Sequence, residues 1–195
     1  MISYPKGLRK NSFQPKSNIK PKREIWNASH RGMALEFDIN KSNDFYYDHN
    51  IALIRKRPTP ITVLEVDNSK NNIITKAFFE KQATTDYNGV YRGRYIDFEA
   101  KSTNSKTSFT LYNINRSQIE HLQKVIQLNG IAFFIIKFNA YNQIFLLDAK
   151  YVIQYFYFQT RKSIPYEEIK RNGKIIKQGY PCRIDFLEVV NQVYF

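Results

Sequence analysis

The amino-acid sequence predicts an α/β fold, a mixed central sheet flanked by helices, with a β-ribbon protruding from it. Three observations carry that expectation. Residues 131–136 are an unbroken apolar run behind Gly130, continued past Lys137 to Phe138, the pattern of a strand covered on both faces. Ile119, Leu122 and Ile126 recur just ahead of it at helical spacing and stop at Asn129-Gly130, a helix-ending pair. Residues 94–101 alternate with period two, so Ile96, Phe98 and Ala100 face one way and Asp97, Glu99 and Lys101 the other.

The 195 residues suit a single domain able to bury a sizeable core. One cysteine, Cys182, excludes an internal disulfide and a cysteine-based zinc site, and fits a reducing compartment. The start of the chain lacks the apolar segment of a signal peptide, and the run at 131–136 is too short to cross a bilayer. The expectation is a cytoplasmic, nucleoid-associated protein without a membrane partner. A net charge of +13 and a pI near 9.7 point to a polyanionic partner, foremost nucleic acid. Seven of the positive charges, Lys6, Arg9, Lys10, Lys16, Lys20, Lys22 and Arg23, fall in residues 1–23, which hold no acid. Residues 1–28 are therefore expected to be a flexible basic arm that tracks a phosphate backbone. Residues 29–195 form the folded domain.

Taken in order, Ser29 is the expected N-cap of a helix on which Met33 and Phe37, and Leu35 and Ile39, recur, with Glu36 and Asp38 near its positive end. Residues 51–54 and 61–66 read as strands interrupted by Pro58 and Pro60, and a polar turn at 68–72 leads into a strand at 73–79. The pair is expected to form a ribbon over about 58–79, basic at its base through Arg55, Lys56 and Arg57. A glycine-punctuated turn at 89–93 should join two antiparallel strands that bring Asp86 opposite Glu99. Residues 102–108 are a polar loop containing Lys106, 143–147 a strand beside 131–138, and 151–158 an aromatic helical segment. Asn172-Gly173 is expected to be a hairpin turn, and 185–194 a closing helix.

Asp97, Glu99 and Lys101 on one strand face, with Asp86 able to converge on Glu99 across the turn, supply the minimum set for metal-dependent phosphodiester hydrolysis: carboxylates to hold a divalent cation and an ammonium to neutralise charge on the phosphate. The structural alternative is a solvent-exposed strand face with a surface ion pair. His30, His49 and His121 lack metal-site spacing, so His121 reads as a partly exposed helix residue.

The order of elements, with Asp86 and Glu99-Ala100-Lys101 on successive strands, resembles the PD-(D/E)xK nuclease superfamily, which implies a restriction-endonuclease-like sheet. The segments 31–36, 58–60, 84–89, 93–101 and 179–181 resemble the RecU family of Holliday-junction resolvases. That resemblance implies a homodimeric endonuclease making paired cuts in four-way DNA junctions during recombination and repair. Mg²⁺ is the implied cofactor, with Mn²⁺ as a substitute, and branch-migration or recombinase proteins are implied further partners. It also implies that Thr84, Asp86, Glu99 and Gln118 form the metal environment, that Lys101 stabilises the transition state, and that Glu36 supplies a further acid. Arg31, Arg55, Lys56, Arg57, Lys76, Arg92, Arg94 and Lys106 join the arm as expected DNA contacts. The resemblance makes Asp86 the partner of Glu99 and leaves the role of Asp97 open: a direct metal ligand, a supporting acid or a partner for Arg94. Two departures adjoin the implied pocket: Thr110, where the family usually has proline, and Ser117, where it usually has histidine. The competing reading is a non-catalytic branched-DNA or RNA-binding protein derived from the same fold.

Overall fold

The structure, a computed structural model, describes residues 26–69, 71–80 and 84–195. Residues 1–25, and with them Lys6, Arg9, Lys10, Lys16, Lys20, Lys22 and Arg23 of the expected arm, lie outside the described residues, as does the side chain of Arg31.

A six-stranded mixed sheet organises the molecule. Its strands are β1 (Ala52–Lys56), β4 (Tyr87–Tyr91), β5 (Arg94–Thr103), β7 (Ile131–Phe138), β8 (Gln143–Asp148) and β10 (Lys174–Ile175), side by side in that order. Only β5 and β7 are parallel, and the crossover between them contains α2 (Arg116–Gln127). The other pairs are antiparallel.

The period-two reading of 94–101 accounts for the layering. Ile96, Phe98 and Ala100 join Phe133 and Ile135 in a core closed by Leu35, Ile39 and Tyr46 of α1 (Trp26–Asp48) and by Phe186 and Val190 of α5 (Phe186–Tyr194). Phe98 stacks between Tyr87 and Phe133, with ring centroids 4.9 and 4.7 Å away. On the opposite face Phe134, Ile136 and Phe138 pack with Ile119 and Leu122 of α2 and Val152 of α3 (Ala149–Phe158). Two covered faces explain why β7 is apolar except at Lys137, the one residue of the strand that is not buried. Asp97, Glu99 and Lys101 belong to this second face, beneath α2.

Glycines permit a close strand approach beside β4 and the tight turn that follows it. A Cβ on Gly89 would stand 2.0 Å from the Leu53 carbonyl oxygen, so β1 and β4 can approach only with glycine there. Arg92 and Gly93, with φ of 48° and 76°, make the tight turn between β4 and β5.

The expected ribbon is present as β2 (Ile61–Asp67) paired with β3 (Ile73–Phe79), a two-stranded sheet separate from the main one. All seven residues of β3 are exposed, Phe79 at 77%. Glu80 N–H donates to the Pro60 carbonyl at 2.9 Å and closes the ribbon's base. A short pair, β6 (Ser108–Thr110) with β9 (Ser163–Pro165), covers one end of the second core.

Four local expectations change. The first helix is already formed at Trp26, the first described residue, so Ser29 lies within it and is not its N-cap. Of its two apolar stripes only Leu35 and Ile39 are buried, while Met33 and Phe37 are more than half exposed, because a helix on one sheet face covers one stripe. Strand β5 runs on to Thr103, into the segment read as a loop. Asn172-Gly173 is the end of α4 (Tyr166–Asn172) and not a hairpin; Glu167 and Glu168 at its start and Lys170 and Arg171 at its end suit the helix dipole.

Candidate active site

Asp86 stands immediately before β4, and the β4–β5 register pairs the next residue, Tyr87, with Phe98. Asp86 is therefore level with Glu99. Asp86 N–H donates to Glu99 Oε2 at 3.0 Å, and Ala100 N–H donates to Asp86 Oδ2 at 3.2 Å, so each carboxylate is tied to the other's strand. Lys101, one step along the same face, puts its Nζ 2.5 Å from Glu99 Oε1 and 3.8 Å from Asp86 Oδ2.

Helix α2 supplies the roof. Gln118 Oε1 accepts from Asn115 N–H at 3.0 Å, part of the helix's N-terminal capping, which leaves its amide NH₂ facing the site. That group donates to Glu99 Oε1 at 3.0 Å and to the Thr84 carbonyl at 3.2 Å. Thr84, Asp86, Glu99, Lys101 and Gln118 are thus brought together in one place. Glu36 stands at the margin, with its carboxylate paired to Lys56; its negative charge helps keep Lys101 protonated.

The electrostatics follow from burial and neighbours. Burial pushes the Glu99 carboxyl up to about 7; Lys101 opposes the shift, and the negative charge of Asp86 adds to it. Burial works against the Lys101 ammonium, but the carboxylates of Glu99 and Asp86 outweigh it and raise its pKa. Among the described residues no three His, Cys, Asp or Glu side chains cluster around a common point. The donor set is two carboxylates and the Thr84 carbonyl, all hard oxygens, with an ammonium lodged between the carboxylates where positive charge is favoured. That set fits Mg²⁺ or Mn²⁺, which use few protein carboxylates and complete their shells with water and phosphate oxygen.

Asp97, two residues before Glu99 and equally inaccessible, has different surroundings. Arg57 Nη2 lies 2.6 Å from Oδ2, Tyr95 O–H donates to Oδ2 at 2.8 Å, His121 Nε2 is 2.8 Å away, and Thr85 O–H donates to Oδ1. Burial alone would raise this carboxyl, yet the hydrogen bonds from Arg57, Thr85, His121 and Tyr95 together hold it below the usual range. Its cation is Arg57 and not Arg94, which instead donates to the Asn129 and Tyr194 carbonyls. His121 and Arg57 are the residues the spacing reading underweighted. The available signal was matched spacing: Gln118 and His121 are one helical turn apart, and Glu99 and Asp97 one strand repeat apart, on facing elements.

The expected DNA contacts separate into groups. Arg55 pairs with Asp44 at 3.8 Å and lies over the Tyr47 ring, Lys56 pairs with Glu36, and Lys76 on the ribbon faces Glu65 at 3.4 Å. Arg57 is turned inward, its side chain only 17% exposed. Arg92 and Arg94 sit at the far end of the β4–β5 hairpin against Phe195, roughly 16 Å along the strand from Asp86. Lys106 is exposed in the loop after β5. No helix among the described residues is long and apolar enough to cross a membrane.

Comparison with known proteins places these features in a lineage. The family described as RecU, Recombination protein U, matches residues 30–192. Proteins named Holliday junction resolvase RecU from Bacillus cytotoxicus and Bacillus thuringiensis are each 45% identical over 199 residues, covering 100% of this chain and 98% of theirs. The same figures hold for the Bacillus anthracis protein of that name. Among solved structures, Hjc of Archaeoglobus fulgidus, a Holliday junction resolvase, covers 73% of this chain and 94% of its own at 10% identity and a TM-score of 0.43, too loose a likeness to add weight. A match over nearly the whole folded part, together with full-length relatives at this identity, means that the chain belongs to the RecU family.

Proposed function

We propose that this protein is a structure-selective endonuclease that resolves four-way DNA junctions by metal-dependent phosphodiester hydrolysis. The observation that carries the reading is the convergence of Asp86 and Glu99 with the Lys101 ammonium between them. Asp86, Glu99 and the Thr84 carbonyl would hold a Mg²⁺ ion, which when bound supplies Lewis-acid activation of the phosphate and a water of lowered pKa. Gln118 and the Asp86 amide orient Glu99, and Lys101 neutralises charge developing on the phosphoryl oxygens. Glu36 is the further acid at the margin, positioned by Lys56.

The ribbon, with exposed apolar residues on both strands, and Arg55 and Lys56 at its base form the surface that engages the junction or a second subunit, whereas Arg57 is turned inward. A homodimer follows from the task, since two symmetric cuts call for two sites related by a two-fold axis. The basic residues of the arm add sequence-independent affinity.

The deciding experiment is nicking of a synthetic four-way junction by wild type and by Glu99→Gln, with Mg²⁺ and with Mn²⁺. The wild type should cut and the variant should bind without cutting. Equal cutting by both removes Glu99 from the chemistry. A wild type that binds the junction yet never cuts it with either ion leaves a junction-binding protein without catalysis.

A further inference from the structure

The ribbon is inserted into the site itself. The chain leaves the sheet at Lys56, passes Arg57, builds β2 and β3, and returns to deliver Thr84, Thr85 and Asp86. The segment carrying one of the two site carboxylates is therefore the foot of a projecting element whose second strand is exposed throughout. Something must hold that foot in register with β5, since an isolated two-stranded ribbon is marginally stable in water.

The contacts that do so converge on one buried carboxylate. Arg57 N–H donates to the Asp86 carbonyl at 2.8 Å. Its guanidinium donates to the Thr85 carbonyl at 3.2 Å, to Thr85 Oγ1 at 2.7 Å, to Tyr95 Oη at 2.8 Å and to Asp97 Oδ2 at 2.6 Å. Asp97 in turn binds Thr85 on the returning leg and His121 on α2. One carboxylate thereby ties both legs of the ribbon to β5 and to the helix that carries Gln118. None of these side chains is among the groups assigned to the hydrolysis.

We propose that Asp97 and Arg57 are positioning residues that clamp the foot of the ribbon so that Asp86 meets Glu99 at metal-binding distance. The proposal rests on the nuclease reading for its catalytic consequence, but not for its consequence on metal binding. Supporting groups of this kind typically change metal affinity or activity by about 10–100-fold.

The test measures Mn²⁺ affinity by titration calorimetry on the full chain without DNA, alongside junction affinity in chelator and single-turnover nicking. Asp97→Asn removes a negative charge and Arg57→Gln a positive one. A purely electrostatic influence must move Mn²⁺ affinity in opposite directions in these two variants. A clamp must weaken it in both, by about tenfold, with nicking reduced alongside and junction affinity in chelator within about twofold of wild type. In the double variant the loss should be no larger than the larger single loss, because one device is being broken twice. Opposite signs, additive losses, or an Arg57→Gln that loses junction affinity while keeping Mn²⁺ affinity each overturn the proposal. Tyr95→Phe, which removes one uncharged donor, should weaken Mn²⁺ by about two- to threefold and carries the test if Asp97→Asn does not fold; an unchanged affinity in both Tyr95→Phe and Arg57→Gln then overturns it. If the wild type binds Mn²⁺ but never nicks, the nuclease reading fails while the binding measurements still decide the clamp.

Discussion

Asp97 and Glu99 are separated by one residue on one face of one strand, both are inaccessible to solvent, and they differ in nearly every property that matters. Asp97 is surrounded by donors from four separate segments, and their hydrogen bonds hold its carboxyl below the usual range. Glu99 has one ammonium, one amide and one backbone N–H, beside the competing charge of Asp86, and burial lifts it to about 7. Burial does not decide the charge of a carboxylate; the donors that burial brings with it do. The saturated carboxylate is suited to holding structure together. The undersupplied one is suited to accepting a cation.

That contrast can be broken at three points. The largest effect is expected from Lys101→Met, which removes the cation from the undersupplied site: single-turnover junction nicking should fall about 10²–10³-fold, with junction affinity in chelator changed little. Next, the isosteric changes at the two carboxylates should have unlike effects on folding. Asp97→Asn leaves Arg57 facing a neutral group and should lower stability by about 3 kcal/mol in urea melts. Glu99→Gln relieves a charge that burial penalises and should be neutral or stabilising at pH 7.5 in the same assay; equal losses at both positions would erase the distinction.

The smallest effect is a pH slope. In the folded state Glu99 keeps its proton after the unfolded chain has released it, so folding takes up a proton over the interval from about 4.5 to about 7. Stability in chelator should therefore fall as pH rises through that window, by about 2 kcal/mol between pH 5 and 7, and Glu99→Gln should flatten the fall. Asp97 adds nothing there: its depressed carboxyl contributes stability that is present above the unfolded value and lost only as pH falls further, through the folded one.

Much of this was visible in the chain. Period two on 94–101 assigned Phe98 to one core and Glu99 to the other face, and the apolar run at 131–136 lies in the buried strand it resembled. The site triad was legible because Asp86, Glu99 and Lys101 are joined by a short hairpin, so sequence separation nearly equals spatial separation. The ribbon was legible because two prolines and a polar turn bracket it. The clamp was not: Arg57 and Asp97 are 40 residues apart, and Asp97 and His121 24 apart. A basic triplet reads as a solvated strand end until the fold turns one member inward. Likewise Asn172-Gly173 is turn-forming in isolation, and only the packing of Ile169 into the second core makes the preceding residues a helix.

Local pattern alone determined most of the elements and the hairpin that aligns Asp86 with Glu99, since each depends on neighbours within a few residues. Tertiary structure alone decided in which direction each carboxylate's pKa moves and which cation it meets. A pKa depends on what distant segments deliver into a buried space, and no periodicity encodes that delivery.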